Sequence, residues 1–104
     1  MPRKSLQTLS EPMYYVLLAL TRELYGIEIM NEVKRISGGR INIGPGTLYT
    51  MLDKFASNGL ITRTNHSLST KSYIITDDGK QMLKEEYARL YTLLNDGQGI
   101  VEGL

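Results

Sequence analysis

The run Ile41-Asn42-Ile43-Gly44-Pro45-Gly46-Thr47-Leu48-Tyr49-Thr50-Met51-Leu52-Asp53-Lys54-Phe55-Ala56-Ser57-Asn58-Gly59-Leu60-Ile61 carries the chemistry of a helix start, a helix stop and a strand start in close succession. Pro45 lacks the backbone N–H that a first helical turn leaves unpaired, and its ring presets φ, so with Gly44 as N-cap it predicts the first position of a helix. At 100° per residue, Leu48, Met51, Leu52 and Phe55 share one arc, and Tyr49, Thr50, Asp53, Lys54 and Ser57 share the opposite one. The first arc is a packing face; the second is open. Asn58-Gly59 supplies a left-handed stop, and the β-branched, partly alternating Leu60-Ile61-Thr62-Arg63-Thr64 suits a strand.

On the N-terminal side, Ile27 to Ile36 reads as an amphipathic helix with Ile29, Met30, Val33 and Ile36 inward, closed by Ser37-Gly38-Gly39. Arg40 to Ile43 is long enough only for an edge strand or an extended link. Further upstream, Ser10-Glu11-Pro12 signals a helix start, and a helix over Met13 to Leu24 follows. Its apolar residues (Met13, Tyr14, Tyr15, Val16, Leu17, Leu18, Leu20, Leu24) are too dense for one packed face, which predicts that some of them meet a second subunit. Met1 to Leu9 reads as an arm.

On the C-terminal side, the polar run Asn65 to Thr70 separates Leu60–Thr64 from a second strand over Lys71 to Thr76, and together they predict a β-hairpin. Thr76-Asp77-Asp78-Gly79 opens a last helix. Leu83, Tyr87, Leu90 and Leu94 recur there at spacings of four, three and four, a coiled-coil-like seam of barely two heptads that needs a covering helix. Asp96-Gly97-Gln98-Gly99 is expected to end it. No internal repeat is present.

The 104 residues, 41% hydrophobic and 22% charged, describe one globular domain able to bury a core. With no cysteine, disulfides and thiolate metal sites are excluded, and the cytoplasm is the default compartment. The apolar, uncharged run Pro12 to Thr21 falls well short of the roughly 18 apolar residues of a membrane span. Glu11-Pro12 and Arg22-Glu23 around that run argue against a signal peptide. Net charge is +1, unevenly spread: six basic and four acidic side chains over residues 1–40, three and one over 41–76, three and six over 77–104. A polyanionic partner would meet the first three quarters of the chain.

Helix, helix, short strand, helix, strand, loop, strand is the order of a winged helix-turn-helix, followed here by one extra helix. The expected fold class is mainly α with a small β-hairpin. Residues 1–79 form the DNA-binding unit with its arm, and 80–104 a C-terminal dimerisation helix and tail. In this architecture the third helix enters a major groove and the hairpin loop lies along the backbone as a wing. Ser10-Glu11-Pro12-Met13-Tyr14-Tyr15, Gly44-Pro45-Gly46-Thr47-Leu48-Tyr49-Thr50, Gly59-Leu60-Ile61 and Tyr73-Ile74-Ile75-Thr76-Asp77-Asp78-Gly79 together resemble the PadR family of bacterial transcriptional regulators, over roughly Leu9 to Leu90.

That resemblance implies a homodimeric repressor on a two-fold operator in double-stranded DNA, with the C-terminal helix as dimer element and release by a small molecule in some members. It places the family's helix-start threonine and tyrosine on Thr47 and Tyr49, a basic residue on Lys54 and the wing lysine on Lys71. The chain departs from the family pattern at Asp53, at Leu68-Ser69-Thr70 before the second strand, and at Ser72 and Ile74. With the open arc, the expected DNA contacts are Thr47, Tyr49, Thr50, Lys54, Ser57, Arg63 and Lys71, and the expected dimer contacts are Tyr14, Leu83, Tyr87, Leu90 and Leu94.

Other chemistries fare worse. Gly44 and Gly46 lack the spacing and the Gly-Lys-Ser/Thr of a nucleotide loop, so the turn before a helix explains them, and the anion it suits is a DNA phosphate. His66, the only histidine, has no cysteine with which to build a metal site and reads as a solvated loop residue. No triad or acid/base pair stands at readable spacing, so neither an enzyme nor a cofactor is expected. Tyr14, Tyr15, Tyr87 and Tyr91 serve either as packing or as the walls of a pocket for a small aromatic effector, packing being the favoured reading. A winged-helix module that binds protein instead of DNA is the competing function. The open arc separates the two: Tyr49, Thr50, Lys54 and Ser57 are hydrogen-bonding and mildly basic, where a protein-docking face would show aromatic or aliphatic anchors.

Overall fold

The structure, a computed structural model, describes residues 8–64 and 71–104. The elements in chain order are α1 (Glu11–Ala19), β1 (Leu24–Tyr25), α2 (Gly26–Ile36), α3 (Pro45–Ser57), β2 (Ile61–Thr64), β3 (Ser72–Ile75) and α4 (Asp77–Glu102). The strands form one antiparallel sheet in the order β1-β3-β2, with Leu24 opposite Tyr73 and Arg63 opposite Tyr73 on its other edge. This is a winged helix-turn-helix with a long C-terminal helix. Of the expected arm Met1 to Leu9, Met1 to Gln7 lie outside the described residues, as does the wing tip with His66 and Leu68-Ser69-Thr70, while Leu9 is no arm residue but is buried in the core.

Each helix begins where capping chemistry puts it. Ser10 Oγ accepts the Met13 N–H at 3.3 Å, so α1 starts at Glu11 rather than Met13. Glu28 Oε1 accepts the Tyr25 N–H at 2.8 Å at the head of α2. Pro45 is the first residue of α3 behind Gly44, and Thr76 Oγ1 accepts the Gly79 N–H at 3.1 Å at the head of α4. Gly59 takes φ 74°, the left-handed stop that Asn58-Gly59 predicts.

Two expectations are corrected. First, α1 stops at Ala19, and Leu24 leaves it for a strand; a strand of two residues, β1, has no period for a sequence pattern to reveal. Arg40 to Ile43, the alternative short strand, is an extended link. Second, α4 runs through the expected stop to Glu102. Gly97 and Gly99 are absent from the positive-φ glycines, and Gln98 Nε2 donates to Glu102 Oε2 at 3.2 Å across one turn, so the glycines permit a break without making one. The dense apolar residues of α1 are packed largely within the chain, with Met13, Tyr14, Tyr15 and Leu18 only half-buried. Val16, Leu17, Ala19 and Leu20 are buried in the same core as Ile29, Val33, Leu48, Leu52, Phe55, Leu60 and Met82, with Met13, Tyr14 and Tyr15 packed at its edge. The exposed apolar surface lies instead on α4: Tyr87, Leu90, Tyr91, Leu93, Leu94, Ile100 and Val101.

One buried carboxylate, paired with an exposed arginine, fastens the start of the described chain to α4. Glu86 is 4% exposed; its carboxylate accepts Arg89 Nε at 2.8 Å and Nη2 at 3.0 Å, and also the Leu9 N–H at 3.1 Å. The Arg89 hydrogen bonds hold the carboxyl below its ordinary value of 4.5, aided by the Leu9 N–H and the Arg89 charge and opposed by burial. A depressed carboxylate pKa stabilises the fold above the unfolded value, and that stability is lost as pH falls through the folded one. Glu86→Gln should therefore melt below the wild type at pH 7, with the gap closing as pH drops below 4.5. Melting curves by circular dichroism across that range check it; a gap independent of pH would contradict the assignment.

Candidate nucleic-acid interface

The two arcs of α3 separate as its periodicity requires. Leu48, Leu52 and Phe55 are fully buried and Met51 half-buried, whereas Thr47, Tyr49, Thr50, Asp53, Lys54 and Ser57 are exposed. No acidic residue stands in the first turn, so the positive end of the helix dipole at Gly44-Pro45-Gly46-Thr47 is uncompensated and open to solvent. Two of the hydroxyls donate back into their own helix, Thr50 Oγ1 to the Gly46 carbonyl at 3.0 Å and Ser57 Oγ to the Lys54 carbonyl at 3.1 Å. Their outward lone pairs are left as acceptors, and the donors on this face are Lys54, the Thr47 hydroxyl and the Tyr49 phenol.

Arg63 is exposed on β2 and Lys71 is exposed immediately before β3. Tyr73, which the sequence reading did not single out, joins the helix to the hairpin. Burial pushes its hydroxyl pKa above 10.0, the Arg63 charge pulls it back, and Tyr49 and Asp53 push it up. Arg63 from the sheet and Tyr49 and Asp53 from α3 thus surround one tyrosine. Behind it, Ser72 Oγ donates to Glu23 Oε2 at 3.0 Å, and Thr64 Oγ1 donates to the same oxygen, which fastens the chain before β1 to the base of the hairpin.

The expected dimer residues divide. Tyr14 and Leu83 pack at the edge of the chain's own core, while Tyr87, Leu90 and Leu94 are 66%, 40% and 70% exposed. Tyr14, Tyr87, Leu90, Tyr91 and Leu94 line an open cavity of about 240 Å³. A second, of about 300 Å³, shares Tyr14 and Leu90 and reaches Tyr15, Glu11 and Glu86. Burial, then Tyr87, Tyr15 and Glu86, raise the Tyr14 hydroxyl pKa. Among the described residues, no group of three or more His, Asp or Glu side chains is placed to hold a metal ion, and no helix is long and apolar enough to cross a membrane.

A two-faced third helix beside a β-hairpin, with a long helix behind, defines the winged helix-turn-helix class. The model of the Transcriptional regulator PadR-like family matches residues 16–85, and the chain belongs to that family, whose members are regulators rather than enzymes. No curated protein sequence matches the chain significantly. Among solved structures, a transcriptional regulator from Clostridium thermocellum is similar at TM-score 0.73 and 19% identity, covering 88% of this chain and 92% of that one. A PadR family regulator from Eggerthella lenta is similar at TM-score 0.71 and 27% identity, covering 86% and 80%. A PadR-like regulator from Bacillus cereus is similar at TM-score 0.71 and 21% identity, covering 89% and 92%.

Proposed function

We propose that this PadR-family regulator is a homodimeric repressor of the bacterial cytoplasm that binds a two-fold operator in double-stranded DNA. The observation that carries the reading is the open arc of α3, where Thr47, Tyr49, Thr50, Asp53, Lys54 and Ser57 face solvent with no aliphatic anchor and a single aromatic one, Tyr49, among them. An arc of that kind suits groove edges and phosphates better than a protein surface. Lys54, Arg63 and Lys71 act on phosphates, and the hydroxyl-bearing residues meet bases. Residues 1–79 are the DNA-binding unit and 80–104 the dimerising one, with Tyr14, Leu83, Tyr87, Leu90 and Leu94 at the contact between copies.

A small aromatic effector fits the cavity lined by Tyr14, Tyr87, Leu90, Tyr91 and Leu94, whose walls are flat apolar rings with hydroxyls at their edges. Such a ligand releases DNA only by binding the free dimer more tightly than the DNA-bound one. Replacement of single cations tests the DNA reading. Lys54→Ala should weaken binding to all duplex sequences alike and lower the salt slope by about one. Lys71→Ala should act in the same way if the hairpin reaches the backbone; an unchanged slope would remove Lys71 from the interface.

A further inference from the structure

Gly26 opens α2 with φ outside the positive region, which among the described residues holds only Gly38, Gly39 and Gly59. Its backbone accepts any L-residue, and alanine is the better helix former. The need for glycine is therefore one of space. A Cβ built on Gly26 would stand closer than 3.0 Å to Tyr49 Oη and 3.1 Å from Tyr49 Cζ. Gly44 and Gly46, at the head of α3, have nothing within 4 Å of such an atom. Gly26 is buried, and Tyr49 is 41% exposed. The outer end of the Tyr49 ring is thus seated on the α2 backbone, while the rest of the side chain remains open on the arc of α3.

We propose that Gly26 is a positioning residue for the nucleic-acid interface: it leaves the space that the end of Tyr49 fills, and so fixes the direction in which this side chain meets DNA. The inference rests on the reading of the α3 arc given above. A tyrosine ordered before binding loses less rotamer freedom when it docks. A methyl group at position 26 expels the ring end from its seat, and the side chain then meets DNA from another direction or not at all.

Four full-length proteins decide it: wild type, Gly26→Ala, Tyr49→Ala and the double variant, each titrated with a duplex from the promoter upstream of the protein's own gene and each melted without DNA. Gly26→Ala should weaken DNA binding by about tenfold in the wild type and leave affinity unchanged in the Tyr49→Ala background. Its effect on melting temperature should reverse sign: a fall in the wild type, where the methyl meets the phenol, and a rise once Tyr49 is removed and the seat is empty. An equal affinity loss in both backgrounds, no loss in either, or a fall in melting temperature in both would overturn the proposal. Should Gly26→Ala fail to fold alone, the Tyr49→Ala pair still decides: the double variant must melt no lower than its parent, and lower melting overturns the seat. A wild type that binds no duplex contradicts the DNA reading and the positioning role built on it, while the sign reversal in melting tests the seat separately.

Discussion

Gly79→Ala should destabilise the fold by about 3 kcal/mol and lower Tm by about 15 °C, the largest stability change expected from a single methyl group in this chain. Gly79 is buried in the first turn of α4. A Cβ there would stand closer than 3.0 Å to the Leu60 carbonyl oxygen, 3.1 Å from the Leu60 carbonyl carbon and 2.6 Å from Ile75 Cγ1. That carbonyl is not free to retreat, because it accepts the Thr76 N–H at 3.0 Å, and Thr76 Oγ1 in turn donates to the Gly59 carbonyl at 2.7 Å. The obstacle is backbone held from two sides, whereas at Gly26 it is the end of one side chain. Helix α4 would have to lift from the start of β2, breaking the N-cap that Thr76 supplies. Thermal unfolding followed by circular dichroism checks it, and a Tm within a few degrees of the wild type would show that the Leu60 backbone yields to α4.

Leu90→Asp should yield a monomer at low micromolar concentration and cost about a hundredfold or more in affinity for a two-fold operator. The reason lies in the length of α4. Because the helix continues to Glu102, the spacing of Leu83, Tyr87, Leu90 and Leu94 extends through Gly97 to Val101, three to four residues at a time. Leu94 and Val101 are 70% and 64% exposed, and Ile100 and Leu93 beside them are 72% and 55% exposed. Such a contiguous apolar stripe marks an association surface. A carboxylate placed in its middle is buried twice in a two-fold dimer, and an unpaired buried charge costs far more than the leucine contributes. The two DNA-binding units then bind independently, each with only its own contacts. Sedimentation reports the assembly: twice the 11.7 kDa chain mass is expected for the wild type and the single mass for the variant. A wild type that sediments only as a monomer would remove the dimer from the proposal.

The parts of the fold legible in the sequence are those that local chemistry dictates. Pro45 behind Gly44, the arc of Leu48, Leu52 and Phe55, and the Gly59 stop each need only neighbouring residues, and all three stand in α3 as read. Thr76 at the head of α4 is of the same kind. What tertiary contacts decide was not legible. The two residues of β1 become a strand only because β3 pairs with them, and Leu24 was absorbed into the periodicity of α1. The burial of α1 on its own core depends on α2 and α4 arriving from later in the chain. Gly97 and Gly99 carry the composition of a stop, but a glycine breaks a helix only when the chain has somewhere else to go. In the candidate site, the open arc followed from the 3.6-residue period, whereas Tyr73 and the Gly26 seat required residues far apart in sequence to be brought together.

Titration of the wild-type protein with a duplex from the promoter upstream of its own gene, repeated from 50 to 200 mM salt, bears most directly on DNA binding through α3. The prediction is saturable binding by two chains per duplex, with log affinity falling linearly in log salt, and a shallower line for Lys54→Ala by about one in slope. Binding that ignores salt, or no binding at about 50 mM salt where phosphate contacts are strongest, would contradict it.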